Sequence, residues 1–226
     1  IGGRTTYSDW ILGQLPKSNN YADGKADFSD VNLGITHRVD SLNTIQLFGY
    51  YSRDRFSFNQ DTTFRYNNLN AALRWRHKGS GSTSFVASAG YDRYSNELEN
   101  FETLTEAYRL NTDIHQVFGR LKFETLAGNH TFSYGAEAVG YGLQGGHMAP
   151  FDENSLVLDR KLRTEYALQP SVYLGDTWRI DEKISLEYGG RLSSFLAMDP
   201  SKFYFGPEIK MSAQYLVTPN PSGKAG

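Results

Sequence analysis

The chain contains no cysteine, which excludes a disulfide scaffold, a thiolate zinc site and a cysteine nucleophile. It carries no excess of charge of one sign either: 23 Lys and Arg stand against 25 Asp and Glu in 226 residues, a formal net charge of −2. That balance excludes the broad basic field of a nonspecific nucleic-acid binder, so no nucleic-acid partner is expected. Long apolar runs are missing, and nothing approaches the ~20 residues of a membrane-spanning helix. Neither a Gly-x-Ser-x-Gly elbow nor a Walker sequence is present. Mean hydropathy is −0.53, that of a polar chain. A low mean does not exclude a membrane β-barrel, whose strands alternate lipid-facing and lumen-facing side chains and average out polar. Aromatics at 14%, and 22 Gly against 7 Pro, lean toward such a barrel. The N-terminus, Ile1-Gly2-Gly3-Arg4, opens on polar residues with no targeting segment, so the chain is read as mature or as a piece of a longer one.

What the sequence does have is period-two alternation along nearly its whole length. Val31, Leu33, Ile35 and Val39 oppose Asn32, Gly34, Thr36 and Arg38. Leu69, Ala71, Leu73 and Trp75 oppose Asn68, Asn70, Arg74 and Arg76, and Val117, Gly119, Leu121 and Phe123 oppose Gln116, Arg120 and Lys122. The pattern continues to Ile209, Met211, Ala213 and Tyr215 against Glu208, Lys210, Ser212 and Gln214. It predicts about ten strands of roughly 12–16 residues, against a globular mode of roughly 5–6.

Connections near 40–43, 79–82, 125–129, 181–183 and 218–223 are short and rich in turn residues. Those near 14–25, 57–62, 95–107, 142–162 and 196–202 are longer and mixed. The two kinds alternate, as in an up-and-down sheet with tight turns at one end and large loops at the other. Trp75, Phe85, Phe123, Phe132 and Trp178 sit beside the short turns. Tyr51, Phe56, Tyr91, Tyr94, Tyr108, Tyr141, Phe195 and Tyr204 sit toward the long loops, and two such bands fit the aromatic girdles of a membrane barrel.

On these features the chain resembles the middle of the β-barrel domain of TonB-dependent outer-membrane receptors of the Bacteroidetes type. Gly2-Gly3-Arg4-Thr5-Thr6-Tyr7-Ser8-Asp9-Trp10-Ile11-Leu12 looks like the family's early barrel strand. Asp27-Phe28-Ser29-Asp30-Val31-Asn32 and Phe48-Gly49-Tyr50-Tyr51-Ser52-Arg53-Asp54-Arg55-Phe56 look like the next two. Tyr173-Leu174-Gly175-Asp176-Thr177-Trp178-Arg179-Ile180 with Ile184-Ser185-Leu186-Glu187-Tyr188-Gly189-Gly190-Arg191-Leu192 is similar to its most recognisable hairpin, and Phe205-Gly206-Pro207-Glu208 fits the strand after it. The resemblance implies an all-β fold: an antiparallel up-and-down transmembrane β-barrel, with about ten strands here of a plugged barrel of about 22. Residues 1–226 are then part of one barrel domain whose plug and remaining strands lie elsewhere, and Lys224-Ala225-Gly226 looks like the start of a further strand. The implied function is energy-coupled uptake of a nutrient across the Gram-negative outer membrane, without enzymatic activity, cofactor or metal. Implied partners are outer-membrane lipid and the TonB complex through the plug, with a surface lipoprotein lid as a further partner in some such systems.

Candidate site residues fall in two groups. In the longest loop, 142–162, Gln144, His147, Met148, Phe151, Asp152 and Glu153 are the candidates for ligand contact, since binding groups concentrate on loops held by a rigid scaffold. Adjacent His147 and Met148 do not by themselves make a metal coordination sphere. On the polar face Arg74, Arg76, Arg120, Glu137, Glu187 and Arg191 are expected to face the lumen and the plug, with Arg38, Lys122, Glu208 and Lys210 beside them. Loop 95–107 carries Glu97, Glu99, Glu102 and Glu106 without Lys or Arg and would suit a cation, although a solvated acidic loop is the commoner case. Two other readings stay open. One is a complete small ten-stranded barrel with an enzyme at its rim, built from Asp54, Asp92, Asp113, His115 and His147. The other is a soluble β-sandwich binding module, which would need half of the apolar stripes to face a partner sheet.

Overall fold

The computed structural model describes residues 1–7, 24–57, 61–79, 81–198, 200–216 and 222–225. The alternating stretches form β1 (Gly2–Tyr7), β2 (Lys25–Arg38), β3 (Asn43–Ser57), β4 (Thr62–Lys78), β5 (Thr83–Asn100), β6 (Tyr108–Ala127), β7 (His130–Pro150), β8 (Arg160–Lys161), β9 (Thr164–Arg179), β10 (Ile184–Met198), β11 (Ser201–Leu216) and β12 (Ser222–Ala225). They join in one antiparallel up-and-down sheet whose order in space is the order in sequence, with the short β8 paired to β7 off the main path. Ten of the strands are the expected ones; β8 and β12 are additions of 2 and 4 residues. The residues Ser8–Leu12 and most of the connections expected at 14–25 and 218–223 lie outside the described residues.

Strands are longer than expected, reaching 20 residues in β6 and 21 in β7. Consequently the mixed connections shrink: 95–107 becomes 101–107, 142–162 becomes 151–163, and across 196–202 the strands already pair at Met198 and Ser201. The sequence changes character there because the apolar stripe stops. The backbone ladder does not stop with it.

Tight turns have identifiable chemistry. In the β2–β3 turn the Asp40 carboxylate accepts hydrogen bonds from the backbone N–H of Leu42 and Asn43 at 2.7 Å each. The same device recurs between β9 and β10, where Asp181 accepts from Lys183 and Ile184 at 2.7 Å. The Asn43 side chain, with these backbone donors, holds the Asp40 carboxyl below its ordinary value. The turn between β6 and β7 is only Gly128-Asn129, and Gly128 has φ of 60°, a left-handed conformation that glycine adopts at no steric cost.

Burial is inverted. Among the described residues the buried apolar side chains are Ala107 and Val139, whereas Asp30, Ser52, Ser57, Thr63, Glu99, Ser171 and Asp176 are buried polar groups. The large apolar residues are exposed: Ile209 is 91% exposed, Met211 67% and Val117 57%. Registers show why. Ile35, Leu47, Leu73, Ala89, Gly119 and Ala138 form one cross-strand row. Ile45, Trp75, Ala87, Leu121, Ala136 and Val172 form the next. Such rows give one continuous apolar face, far larger than the few hundred Å² that soluble monomers expose. On β4 its uncharged stretch from Asn67 to His77 is eleven residues, within the ~9–11 that a tilted strand needs to cross a bilayer.

The short-turn aromatics all lie on this face in a row of ring contacts. Trp75 meets Phe85 at 4.9 Å, Phe85 meets Phe123 at 5.8 Å, and Phe123 stacks on Tyr134 at 5.3 Å. Beyond these, His130 stacks between Phe132 at 5.7 Å and Trp178 at 5.5 Å. Trp75 is in register with Val172, yet β9 carries its tryptophan further along, at Trp178. The aromatic row therefore climbs across the ladder, the stagger that strands tilted to a barrel axis show.

The second aromatic band needs correction. Only Tyr51 and Tyr91 point to the apolar face, joined there by Tyr166, Phe203 and Phe205. Phe56, Tyr94, Tyr108, Tyr141, Phe195 and Tyr204 share the parity of the polar face. Tyr141 donates to Gln169 at 3.0 Å there, and its ring lies 6.5 Å from Phe195.

On the polar face Phe118 lies across Gly90, where an added Cβ would meet its ring at 2.5 Å, while a Cβ on Gly34 would meet nothing within 4 Å. Gly90→Ala is expected to cost roughly 1–3 kcal/mol in unfolding from detergent, Gly34→Ala much less, and Phe118→Leu to recover part of the Gly90→Ala loss.

Candidate functional site

All ten charges expected on the polar face lie there by register: Arg38, Arg74, Arg76, Arg120, Lys122, Glu137, Glu187, Arg191, Glu208 and Lys210. A cavity of about 880 Å³ runs along this face from Thr36 on β2 to Tyr173 on β9. Its ionic lining is Arg74, Arg76, Lys78, Arg120 and Lys122 against Glu124 and Glu137.

Glu137 is the hub. It receives Arg120 Nε at 2.7 Å from β6 and an Arg191 terminal nitrogen at 3.2 Å from β10. Arg191 also donates to the buried Ser171 hydroxyl at 2.8 Å and to Ser193 at 3.2 Å. The Arg120 guanidinium lies over the Phe118 ring at 4.5 Å, a cation–π contact. Lys210 pairs with Glu187 at 2.9 Å. The structure thus joins Arg120, Glu137 and Arg191 in one network and sets Glu187 in a separate pair. Arg74 and Arg76 have no hydrogen-bond or ion-pair partner among the described residues. Sequence reasoning missed Ser171 and Phe118. Their alternation with Val172 and Val117 was the available signal for their face, but only register brings them to Arg191 and Arg120.

The loop candidates do not form one site. Gln144, His147 and Met148 are in β7, not in a loop. The Gln144 amide donates to the Leu162 carbonyl at 2.6 Å and accepts from Thr164 at 2.8 Å, bracing the strand where β7 bulges. His147 faces the apolar side and meets Asp159 at 3.1 Å, whereas Met148 is opposite Leu110 on the other parity. Phe151 packs on Phe101 at 5.6 Å under the Arg109 guanidinium at 4.6 Å. Asp152 caps its own turn, accepting from Asn154 N–H at 2.9 Å, and Glu153 is exposed.

The acidic loop is also revised. Glu97 and Glu99 belong to β5, and arginines from neighbouring strands meet them: Arg65 reaches Glu97 at 2.5 Å and Glu99 at 2.7 Å, and Arg109 reaches Glu99 at 3.1 Å. Glu102 and Glu106 remain in the connection, where Thr103 donates to Glu106 at 3.2 Å. The rim residues are scattered as well. Asp92 accepts from Asn70, Asp113 pairs with Arg93 at 2.8 Å, and His115 meets the Tyr91 hydroxyl at 2.7 Å. Asp54 lies opposite Tyr66 on the polar face, apart from both histidines.

No protein-family model matches this sequence, and no curated protein matches it. Solved structures do. The copper transporter OprC superposes with a TM-score of 0.71 at 12% identity, over 88% of this chain and 36% of that one. BauA, the ferric preacinetobactin receptor from Acinetobacter baumannii, gives 0.68 at 12% identity over 87% and 38%. The ferric-catecholate import receptor Fiu from E. coli K12, in its open form, gives 0.68 at 10% over 89% and 46%. The sheet has the fold of their barrel walls. The chain spans less than half the length of each of these proteins.

Glu137→Gln is expected to cost about 1–2 kcal/mol in unfolding, since Glu137 is partly buried and two guanidiniums lose their counterion. The loss should be non-additive with Arg120→Gln in a double-mutant cycle.

Proposed function

We propose that this chain is part of the β-barrel domain of a TonB-dependent outer-membrane receptor of the Bacteroidetes type, one that takes up a nutrient rather than catalysing a reaction. One observation carries the reading. The apolar face holds no Asp, Glu, Lys or Arg between its two aromatic rows on β2 to β11, save Asp176 at the lower row, while the other face is charged on nearly every strand. A face of that height and composition is matched to a bilayer and not to water. Among the described residues β1 and β12 each have a single neighbour, and lipid does not tolerate an open edge. The arc is therefore read as a portion of a larger closed barrel, in which further strands and a plug complete the wall.

In the parent protein the polar face lines the lumen. Arg74, Arg76, Arg120, Glu137, Glu187 and Arg191 would hold the plug or line the path beside it. Ligand contact at Gln144, His147, Met148, Phe151, Asp152 and Glu153 is narrowed to Met148 and the exposed Glu153, because the side chains of the other four are engaged within the scaffold. The TonB complex acting through the plug, outer-membrane lipid and, for receptors with a lid, a surface lipoprotein are the proposed partners. The Bacteroidetes type rests on the hairpin motifs around Trp178 and Tyr188. The OprC, BauA and Fiu titles name copper and ferric ligands for those proteins, which fits import of a scarce nutrient here.

The full-length protein extracted in detergent should have an intact mass several times 25.5 kDa and a heat-modifiable gel mobility. Within it Leu73→Arg, at mid-height of the apolar face, should cost about 2–4 kcal/mol and deplete the protein from outer membranes, while Arg74→Leu one residue away should leave insertion intact. Equal tolerance of both substitutions would overturn the membrane reading.

A further inference from the structure

A second cavity, of about 590 Å³, lies toward the tight-turn end of the polar face on β9 and β10. Gly175 and Gly189, directly opposite each other in the ladder, give it a floor without side chains. Around them stand Ser133, Tyr173, Thr177, Glu187, Arg191 and Lys210, all of polar-face parity.

Twice on this face a glycine is covered by the aromatic residue opposite it. Phe118 is the register partner of Gly90, and its ring comes within 2.5 Å of where a Cβ would stand. Tyr173 is the register partner of Gly135, and its hydroxyl comes within 2.7 Å of that glycine's Cβ position. A ring laid over a glycine restores the contact that the missing side chain gives up. At Gly175 and Gly189 glycine faces glycine, so neither strand supplies a ring, and Tyr173 is committed to Gly135.

Backbone packing accounts for one of the pair. A Cβ on Gly189 would meet the Leu174 carbonyl oxygen at 2.7 Å and the Gly175 Cα at 2.8 Å, so only glycine fits there. On Gly175 the nearest atoms to a Cβ are backbone at 3.5–3.9 Å, an ordinary contact, and its φ is not left-handed. The wall therefore has room for a side chain at 175 and carries none. Glycine inside a strand is destabilising, and it marks a place where another group comes close.

Charges at the rim are already paired, Lys210 with Glu187 at 2.9 Å and Arg191 with Glu137 at 3.2 Å. An ionic occupant gains little there, whereas a neutral ring gains cation–π contact with the same bases. We propose that this cavity seats an aromatic side chain carried by the plug, laid flat on Gly175 and Gly189. The inference rests on the receptor reading and adds a latch to it: the ring leaves its seat before the plug moves away from β9 and β10. A standing defect in the ladder calls for a standing occupant, and cargo passes this height only in transit.

The test uses the full-length protein in planar lipid bilayers, where the urea concentration that opens ion conductance reads plug release. Gly175→Ala, whose methyl the wall accepts, should lift the ring and lower that midpoint by roughly 0.5–1 M, with unchanged heat-modifiable mobility. A merely structural glycine would give the opposite sign, since alanine is the better strand residue. Gly34→Ala, on open wall of the same face, should leave the midpoint unchanged. Thr177→benzoylphenylalanine should photo-crosslink to an aromatic residue of the plug, located by peptide mass spectrometry. An unchanged or raised midpoint in Gly175→Ala overturns the latch, as do crosslinks confined to the barrel itself or to a bound small molecule. A full-length protein that holds no plug and conducts without urea sinks the receptor reading, and this inference with it.

Discussion

In the hydrocarbon that the proposed barrel would occupy, every backbone N–H and C=O must find a partner within the protein, and the rest of this structure fits that constraint. Each strand on the path from β1 to β12 pairs with the next, with a bulge on β7 and a gap in the β9–β10 register beside Pro170, and the strands continue pairing well past the apolar band, to Asn100 on β5 and Pro150 on β7. Because the ladder supplies cohesion, the side chains are released from forming a core. Val139 is the largest buried apolar residue among those described, and the bulky side chains are free to face an apolar solvent. Inversion of burial is thus a consequence of where the hydrogen bonds are.

Much of this was legible because strand periodicity is local. Leu73 and Arg74 are adjacent and must face opposite ways, so the ten charges could be assigned to one face without knowing any partner. Strand ends were less legible. Glu97 and His147 look like loop residues because they are polar at a parity that had been apolar, yet they remain in β5 and β7. Polarity reports the edge of the bilayer-facing band, and the strand ends later. The upper aromatics failed for a related reason. Tyr94, Tyr141 and Phe195 were grouped by height along the strand, whereas their parity puts them on the charged face. Partner identity was beyond reach altogether, since Arg65 meets Glu97 only through register between strands 32 residues apart.

The polar face is divided in its electrostatics. On β6 to β11 bases meet acids, with Arg120 and Arg191 sharing Glu137 and Lys210 paired to Glu187. On β4 the guanidiniums of Arg74 and Arg76 face the same cavity with no carboxylate engaged. A wall whose bases are already paired asks less of what faces it, and a wall of unpaired guanidiniums favours an occupant bearing acidic groups. In the proposed receptor the plug would therefore press its acidic side toward β3 to β6, and any anionic cargo would travel on that flank.

Asp176 is the exception within the lipid-side face, and its surroundings show what an exception requires. A bare carboxylate among lipid tails would be costly. Asp176 sits in the lower aromatic row, where in the proposed barrel the bilayer would give way to headgroups, and is 5% exposed. His130 reaches its Oδ2 at 2.6 Å from β7 and the Tyr188 hydroxyl donates to the same oxygen at 2.7 Å from β10. Those donors are themselves fixed, His130 by stacking between Phe132 and Trp178. The carboxylate thus ties three strands together at the height where the apolar rows end. Moved four residues up β9, to Val172, the same group would face the charge-free rows with Leu121 and Ala136 in register beside it and no donor within its own face. Position relative to the aromatic row, more than burial, decides where this sheet can carry charge on its lipid side.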